Sequence, residues 1–475
     1  MAFSSIPFLC AFFPIVVVSY HLIPSIRLKN LFLIAVSLLF YAYGEGYFVL
    51  LMVGCAFFNY LFARLIERYQ NGKKGLLFFA VLCNLAMLGI YKYTGMLFTT
   101  INQITKLNLE IPVIRLPIGI SFFTFQALSY VVDVYRGKVK SDKSFLNVLL
   151  YISFFPQLIA GPVIKYHSIA EQIGHRKADL EQISRGMRRF IIGLSKKVLL
   201  SDPMAVAVDY VFALSADELG TLAAWVGAAA YMMQIYFDFS GYSDMAIGMG
   251  KMFGFDFPEN FRFPYAASSI QDFWRRWHIS LTDWFREYLY IPLGGNRKGK
   301  IRTVLNRFVV FFCTGLWHGA SWNFVLWGLF HWAFMTFENL VPKREDGKVR
   351  FVAVRHIYVL LVVCVGFVLF RAETIGQACM MLSVMFTGGS KGPLVAASTM
   401  RMFDGLFLSA FAVAMICSTP VGQWLITRCT EYKERNKGFA RIAGAVYYVS
   451  SIALLVACVM SLAGGSYHPF IYFRF

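Results

Sequence analysis

Apolar residues run along this chain in long blocks broken by short basic turns. Such blocks lie at 30–43, 47–63, 76–99, 116–135, 222–239, 305–320, 321–340, 352–370, 406–427 and 442–462. A bilayer core about 30 Å thick takes about 20 mainly apolar residues per helical crossing, so blocks of this kind read as transmembrane helices. Further blocks lie at 187–200, 204–214, 245–255 and 378–386, and several of the blocks are too short to cross alone. The pattern predicts an all-α polytopic membrane protein, a bundle of about 11 transmembrane helices with re-entrant and interfacial pieces. Neither an internal repeat nor a low-complexity segment divides it, so residues 1–475 read as one membrane domain.

The segment 271–289 has a different pattern. Trp274, Trp277, Leu281, Trp284 and Tyr288 recur at spacings of three and four, with Arg275, Arg276, Asp283 and Arg286 between them. That spacing predicts one amphipathic helix over about 269–290, lying along the cytoplasmic interface, with Ser269 and Asp272 as its start signal. The stretch 145–162 carries Pro156 and Pro162 and joins two basic loops that cannot both be cytoplasmic if it crosses once. It is expected to be re-entrant, because proline-broken backbone at membrane depth must be satisfied by protein or a wet cavity.

Composition supports lipid as the solvent: 58% of the residues are hydrophobic and only 15% charged. The formal net charge of +19 sits in loops between the apolar blocks and forms no single patch. Anionic headgroups and the positive-inside rule account for it, and nucleic acid is not expected as a partner. Basic loops at 64–74, 136–143, 165–189, 286–307, 343–355 and 428–441 mark the cytoplasmic side, which places both termini outside. The first apolar run has no basic region before it and reads as a retained span, not a signal peptide. Nine cysteines lie mostly inside apolar blocks without paired spacing, so neither a disulfide framework nor a metal site is indicated.

Polar groups inside hydrocarbon cost roughly 2.5–3.5 kcal/mol each on insertion scales, so those that persist tend to face cavities. His318 stands in Leu316-Trp317-His318-Gly319-Ala320, eleven residues beyond Arg307 and thus roughly 16 Å deep. A neutral imidazole there can take a proton from an alcohol or thiol, as attack on an acyl thioester requires. A hydrogen-bonded structural histidine is the ordinary alternative, and it suits His331 better. His278 is read as interfacial, with a rim or structural role. Asp238 and Asp244, in Asp238-Phe239-Ser240-Gly241-Tyr242-Ser243-Asp244, serve either as ion ligands, as groups orienting others, or as partners of a nearby arginine. Arg262 and the loop Pro292-Leu293-Gly294-Gly295-Asn296-Arg297-Lys298 are placed to meet donor phosphates, or are solvated positive-inside loops.

These residues, taken together, resemble the membrane-bound O-acyltransferase family, in its alginate O-acetylation branch. The resemblance rests on Pro117-Ile118-Gly119-Ile120-Ser121-Phe122-Phe123-Thr124-Phe125-Gln126, the Ala160-Gly161-Pro162 turn, the runs 238–244, 259–265 and 274–295, Trp317-His318-Gly319-Ala320, and Pro469-Phe470-Ile471-Tyr472-Phe473-Arg474-Phe475. It implies His318 as catalytic residue and His278 as second site, with Trp317, Asp238, Ser240, Asp244, Asn260, Arg262 and Arg276 as substrate-binding candidates. It also implies a cavity open to a cytoplasmic donor, acetyl-CoA or an acyl carrier protein, and to an extracytoplasmic polysaccharide acceptor. No bound cofactor is expected. A periplasmic or extracellular acetyltransferase partner, and a bacterial inner membrane, complete the expectation. D-alanyl transfer to teichoic acid and ion-coupled transport are the alternatives; no pair of interrupted helices in corresponding halves favours transport.

Overall fold

The computed structural model describes residues 2–159, 161–340, 352–402, 404–465 and 470–471. Among the described residues every regular element is helical and none is a strand. Five helices are long and apolar enough to cross a bilayer by themselves, or six if the bent pair Pro393–Met402 and Gly405–Cys417 counts as one. They include Ile26–Glu45, Phe48–Arg68, Lys73–Thr105 and Val352–Arg371. The basic stretch 343–355 lies mostly outside the described residues, as does nearly all of the run 469–475.

The uninterrupted α-helix Thr221–Met252 is roughly 48 Å long at 1.5 Å per residue. The blocks 222–239 and 245–255 were expected as separate pieces; one helix runs unbroken through 240–244. Its polar residues do not end it because a neighbouring element supplies their partners. Lys197 Nζ lies 2.7 Å from both Asp202 Oδ1 and Asp238 Oδ1. Asp244 pairs with Arg189 at 2.6 Å and Lys196 at 2.7 Å, and Arg189 reaches Glu259 as well.

Glycines permit that pairing. Helix Leu180–Ser195 crosses Thr221–Met252 with Gly186 against Gly248 and Gly193 against Gly241, each pair seven residues from the other on both helices. A Cβ at Gly193 would stand 2.5 Å from the carbonyl oxygen of Gly241, and one at Gly248 2.5 Å from that of Gly186. Close backbone approach of this kind is how small residues drive helix packing where lipid offers no hydrophobic gain.

The stretch 145–162 forms two short helices, Phe145–Ser153 and Phe155–Leu158, broken at Phe154, and neither is long enough to cross. Pro156 sits in the first turn of the second, where its missing N–H costs nothing. Ala160 of the Ala160-Gly161-Pro162 turn lies outside the described residues.

The glycine crossing yields a controlled test. Gly241→Ala should destabilise the detergent-solubilised protein by about 1–3 kcal/mol, the scale of overpacking. Gly54→Ala, at a helical glycine with nothing within 4 Å of the added carbon, should not. Thermal unfolding of the two variants side by side reads the difference.

Candidate active site

The segment expected as one helix over 271–289 is two: Ile270–Arg276 and Ile279–Phe285. Its start is as predicted, with Ser269 Oγ accepting from the Asp272 N–H at 3.0 Å. The break falls at Trp277 and His278, and His278 adopts left-handed backbone with φ of 43°. Asn260 causes it. Its carbonyl accepts the Ile279 N–H at 2.9 Å, and the Arg262 N–H bonds to the Arg276 carbonyl at 3.0 Å, so this preceding strand-like segment supplies partners that helix would otherwise provide. The consequence is burial: Trp274, Trp277 and Trp284 pack in the core, and His278 is fully buried instead of interfacial.

The same asparagine sets the protonation pattern of the ring. Asn260 Oδ1 accepts from the Ser280 backbone N–H at 3.2 Å and Ser280 Oγ at 2.9 Å, while its Nδ2 donates to Ser243 Oγ at 3.0 Å. A backbone N–H must face an acceptor, so the atom 3.1 Å from His278 Nδ1 is oxygen and Nδ1 carries the hydrogen. Nε2 is left as a buried acceptor, with no protein partner among the described residues.

His318 is the last residue of helix Gly299–His318 and is buried. Its ring meets Trp327 edge-on at 4.9 Å and Phe370 at 5.2 Å between centroids. Trp317 stands between the two histidines, 5.9 Å from His278 and 5.0 Å from His318. His278 lies within electrostatic reach of His318, and so does Lys92.

A helix that ends inside protein leaves carbonyls without intrahelical partners. Here consecutive residues of another helix take them. Tyr93 Oη donates to the Leu316 carbonyl at 2.7 Å, and Lys92 Nζ donates to that of Trp317. This contact sets Lys92 level with the last turn of the His318 helix. Lys92 and Tyr93 are absent from the residues singled out above; a lone lysine within the apolar block 76–99 was the available signal.

A pocket of about 510 Å³ opens beneath this cluster. Arg275, Arg286 and Arg307 line it, and Arg307, Val310, Phe311 and Thr314 form one face of the His318 helix climbing toward the ring one turn further on. Neither His318 nor His278 lines it; Trp274, at its wall, contacts Trp327 at 5.7 Å, and Trp327 in turn contacts His318.

Of the sequence-derived candidates, the structure brings together His318, His278, Trp317 and Asn260. Asp238 and Asp244 are held in the ion pairs described, and the Ile471 N–H also donates to Asp238 at 2.7 Å. Ser240 is buried on the same helix, Arg262 is exposed, and Arg276 pairs with Asp272 at 3.0 Å. Asn296 of the loop 292–298 lines the pocket. His331 is enclosed by Phe273, Trp274 and Trp327, and neither of its ring nitrogens has a hydrogen-bond partner among the described residues, so the hydrogen-bonded histidine expected there is not found.

The chain belongs to the membrane-bound O-acyltransferase family, whose model matches residues 76–384. It is similar to the probable alginate O-acetylase AlgI of Pseudomonas putida, 37% identical over the whole of both chains. A peptidoglycan O-acetyltransferase of Helicobacter pylori is 38% identical over 70% of this chain and 69% of its own. A teichoic acid D-alanyltransferase of Bacillus subtilis is 30% identical over 48% of this chain and 60% of its own. The protein is a multi-pass membrane O-acyltransferase.

Asn260→Ala should lower transfer by about tenfold, since it leaves the Ser280 N–H and His278 Nδ1 unsatisfied at about 1–3 kcal/mol. Asn260→Asp, which keeps an acceptor for both, should retain more activity than Asn260→Ala at equal protein level; initial rates in membranes decide it.

Proposed function

We propose that this chain takes an acetyl group from cytoplasmic acetyl-CoA and passes it to a hydroxyl on the extracytoplasmic side, toward a polysaccharide. The observation that carries this reading is the pocket whose helical face leads from three arginines to His318. Guanidinium groups bind phosphate bidentately, and three arginines lining one pocket suit the phosphates of a nucleotide better than the single phosphate of a carrier-protein arm. The pocket volume is also in the usual range for small ligands, about 300–1,000 Å³.

In this reading the pantetheine arm follows Val310, Phe311 and Thr314 upward, and the aromatic pair Trp274 and Trp327 shifts to admit it. His318 takes the proton from the attacking hydroxyl; the hydroxyl oxygen forms the new ester bond, the carbon–sulfur bond breaks, and the imidazolium returns the proton to the leaving thiolate. His278 Nε2, which has only a lone pair to offer, holds an O–H or N–H donor of a substrate, such as a pantetheine amide. Relatives named for acetyl transfer cover more of this chain than those named for D-alanyl transfer, which supports acetyl. The protein would sit in a bacterial plasma membrane with both termini outside, next to a periplasmic or extracellular acetyltransferase that completes transfer to the polymer.

His318→Ala should abolish acetyl esters on the exported polymer while the protein still accumulates in the membrane. Arg307→Ala should raise KM for acetyl-CoA by about tenfold or more, the scale of one charge-assisted hydrogen bond, with kcat retained. Acetylation that persists in the His318 variant would remove the proposed base.

A further inference from the structure

Lys92 is a buried amine in the longest apolar span, Lys73–Thr105, and the reaction outlined above makes no use of it. A charged side chain at membrane depth costs roughly 2.5–3.5 kcal/mol on insertion scales, so its presence calls for a compensating role. It does not snorkel: its Nζ points inward, to the Trp317 carbonyl and to Ser121 Oγ at 3.2 Å. No carboxylate pairs with it among the described residues, so ion pairing does not explain it. Capping alone does not require an amine, because Tyr93 satisfies the neighbouring Leu316 carbonyl with a neutral hydroxyl.

Both side chains come from Gly89–Tyr93, a single π turn inserted between Lys73–Leu88 and Thr94–Thr105. Such turns pack less favourably than α-helix and recur at functional sites. Lys92 thus ties three elements together at one point: its own π turn, Ser121 at the start of helix Ile120–Tyr135, and the terminal turn that bears His318. A cation beside a helix C-terminus is also stabilised by the partial negative charge there, which sharpens the preference for one geometry.

We propose that Lys92 is a positioning residue for acyl transfer: by holding the Trp317 carbonyl it fixes the last turn of the Gly299–His318 helix, and with it the His318 imidazole. This rests on His318 being the reacting ring. A misplacement of about 1 Å at a reacting group costs on the order of 10²-fold in rate, which sets the size of the effect.

The test uses full-length protein in proteoliposomes with acetyl-CoA, and His318→Ala in parallel. Lys92→Met should lower kcat on the order of 10²-fold with KM for acetyl-CoA unchanged. Its thermal stability should fall no further than that of Tyr93→Phe, and Lys92→Arg should recover much of the lost kcat. If Lys92→Met does not accumulate, Ser121→Ala removes the other anchor while keeping the charge, and should lower kcat with KM unchanged. Wild-type kcat in Lys92→Met, or in Ser121→Ala where that variant is needed, overturns the proposal. So does a loss of kcat in Lys92→Met that only tracks a loss of folded protein and that Lys92→Arg does not recover. An active His318→Ala would overturn the reading of the base instead.

Discussion

Hydrocarbon offers no hydrogen bonds, and every polar group drawn into it must find a partner within the protein. The architecture around His318 answers that constraint. A helix that stops inside the bundle exposes carbonyls, and Lys92 and Tyr93 meet two of them. A helix that breaks inside the bundle frees further groups, and Asn260 collects the N–H groups of Ile279 and Ser280 and the Nδ1–H of His278. Two irregularities, each satisfied by side chains from elsewhere in the chain, bring the imidazoles to either side of Trp317.

The same constraint organises the scaffold. Asp238 and Asp244 lie on a buried helix because Lys197, Arg189 and Lys196 come from the helix beside it. Those cations come close because Gly186 and Gly193 let the two backbones meet. Removing one partner would leave a buried charge alone, a loss typically of about 3–5 kcal/mol. The carboxylates are therefore understood first as fasteners of the bundle that carries the site.

How much of this could be read from residues alone follows from what is local. His318 stood out because a glycine-flanked histidine in an apolar block is a local anomaly at a measurable depth. Ser269 was legible as a start signal because capping is decided within one turn. The break at His278 was not, because the aromatic spacing of 274–288 suits one helix and the competing partner, Asn260, lies in a different segment. The unbroken run of Thr221–Met252 through its polar residues was hidden for the same reason: the ion pairs that permit it come from another helix. Lys92 was visible as a charge but not as a cap, since its meaning depends on a helix more than two hundred residues later ending at its level.

The proposed function reduces to one claim: a buried histidine pair is served with donor from the arginine-lined face and delivers the acyl group to the other. Sidedness tests it most directly. In sealed proteoliposomes of known orientation, radiolabelled acetyl-CoA is supplied to one face and an acceptor glycan, with any partner it needs, to the other. The account predicts labelled ester on the acceptor only when donor is on the face of Arg275, Arg286 and Arg307. Equal labelling with donor on the opposite face, or ester formed solely on the side where donor was added, would contradict it.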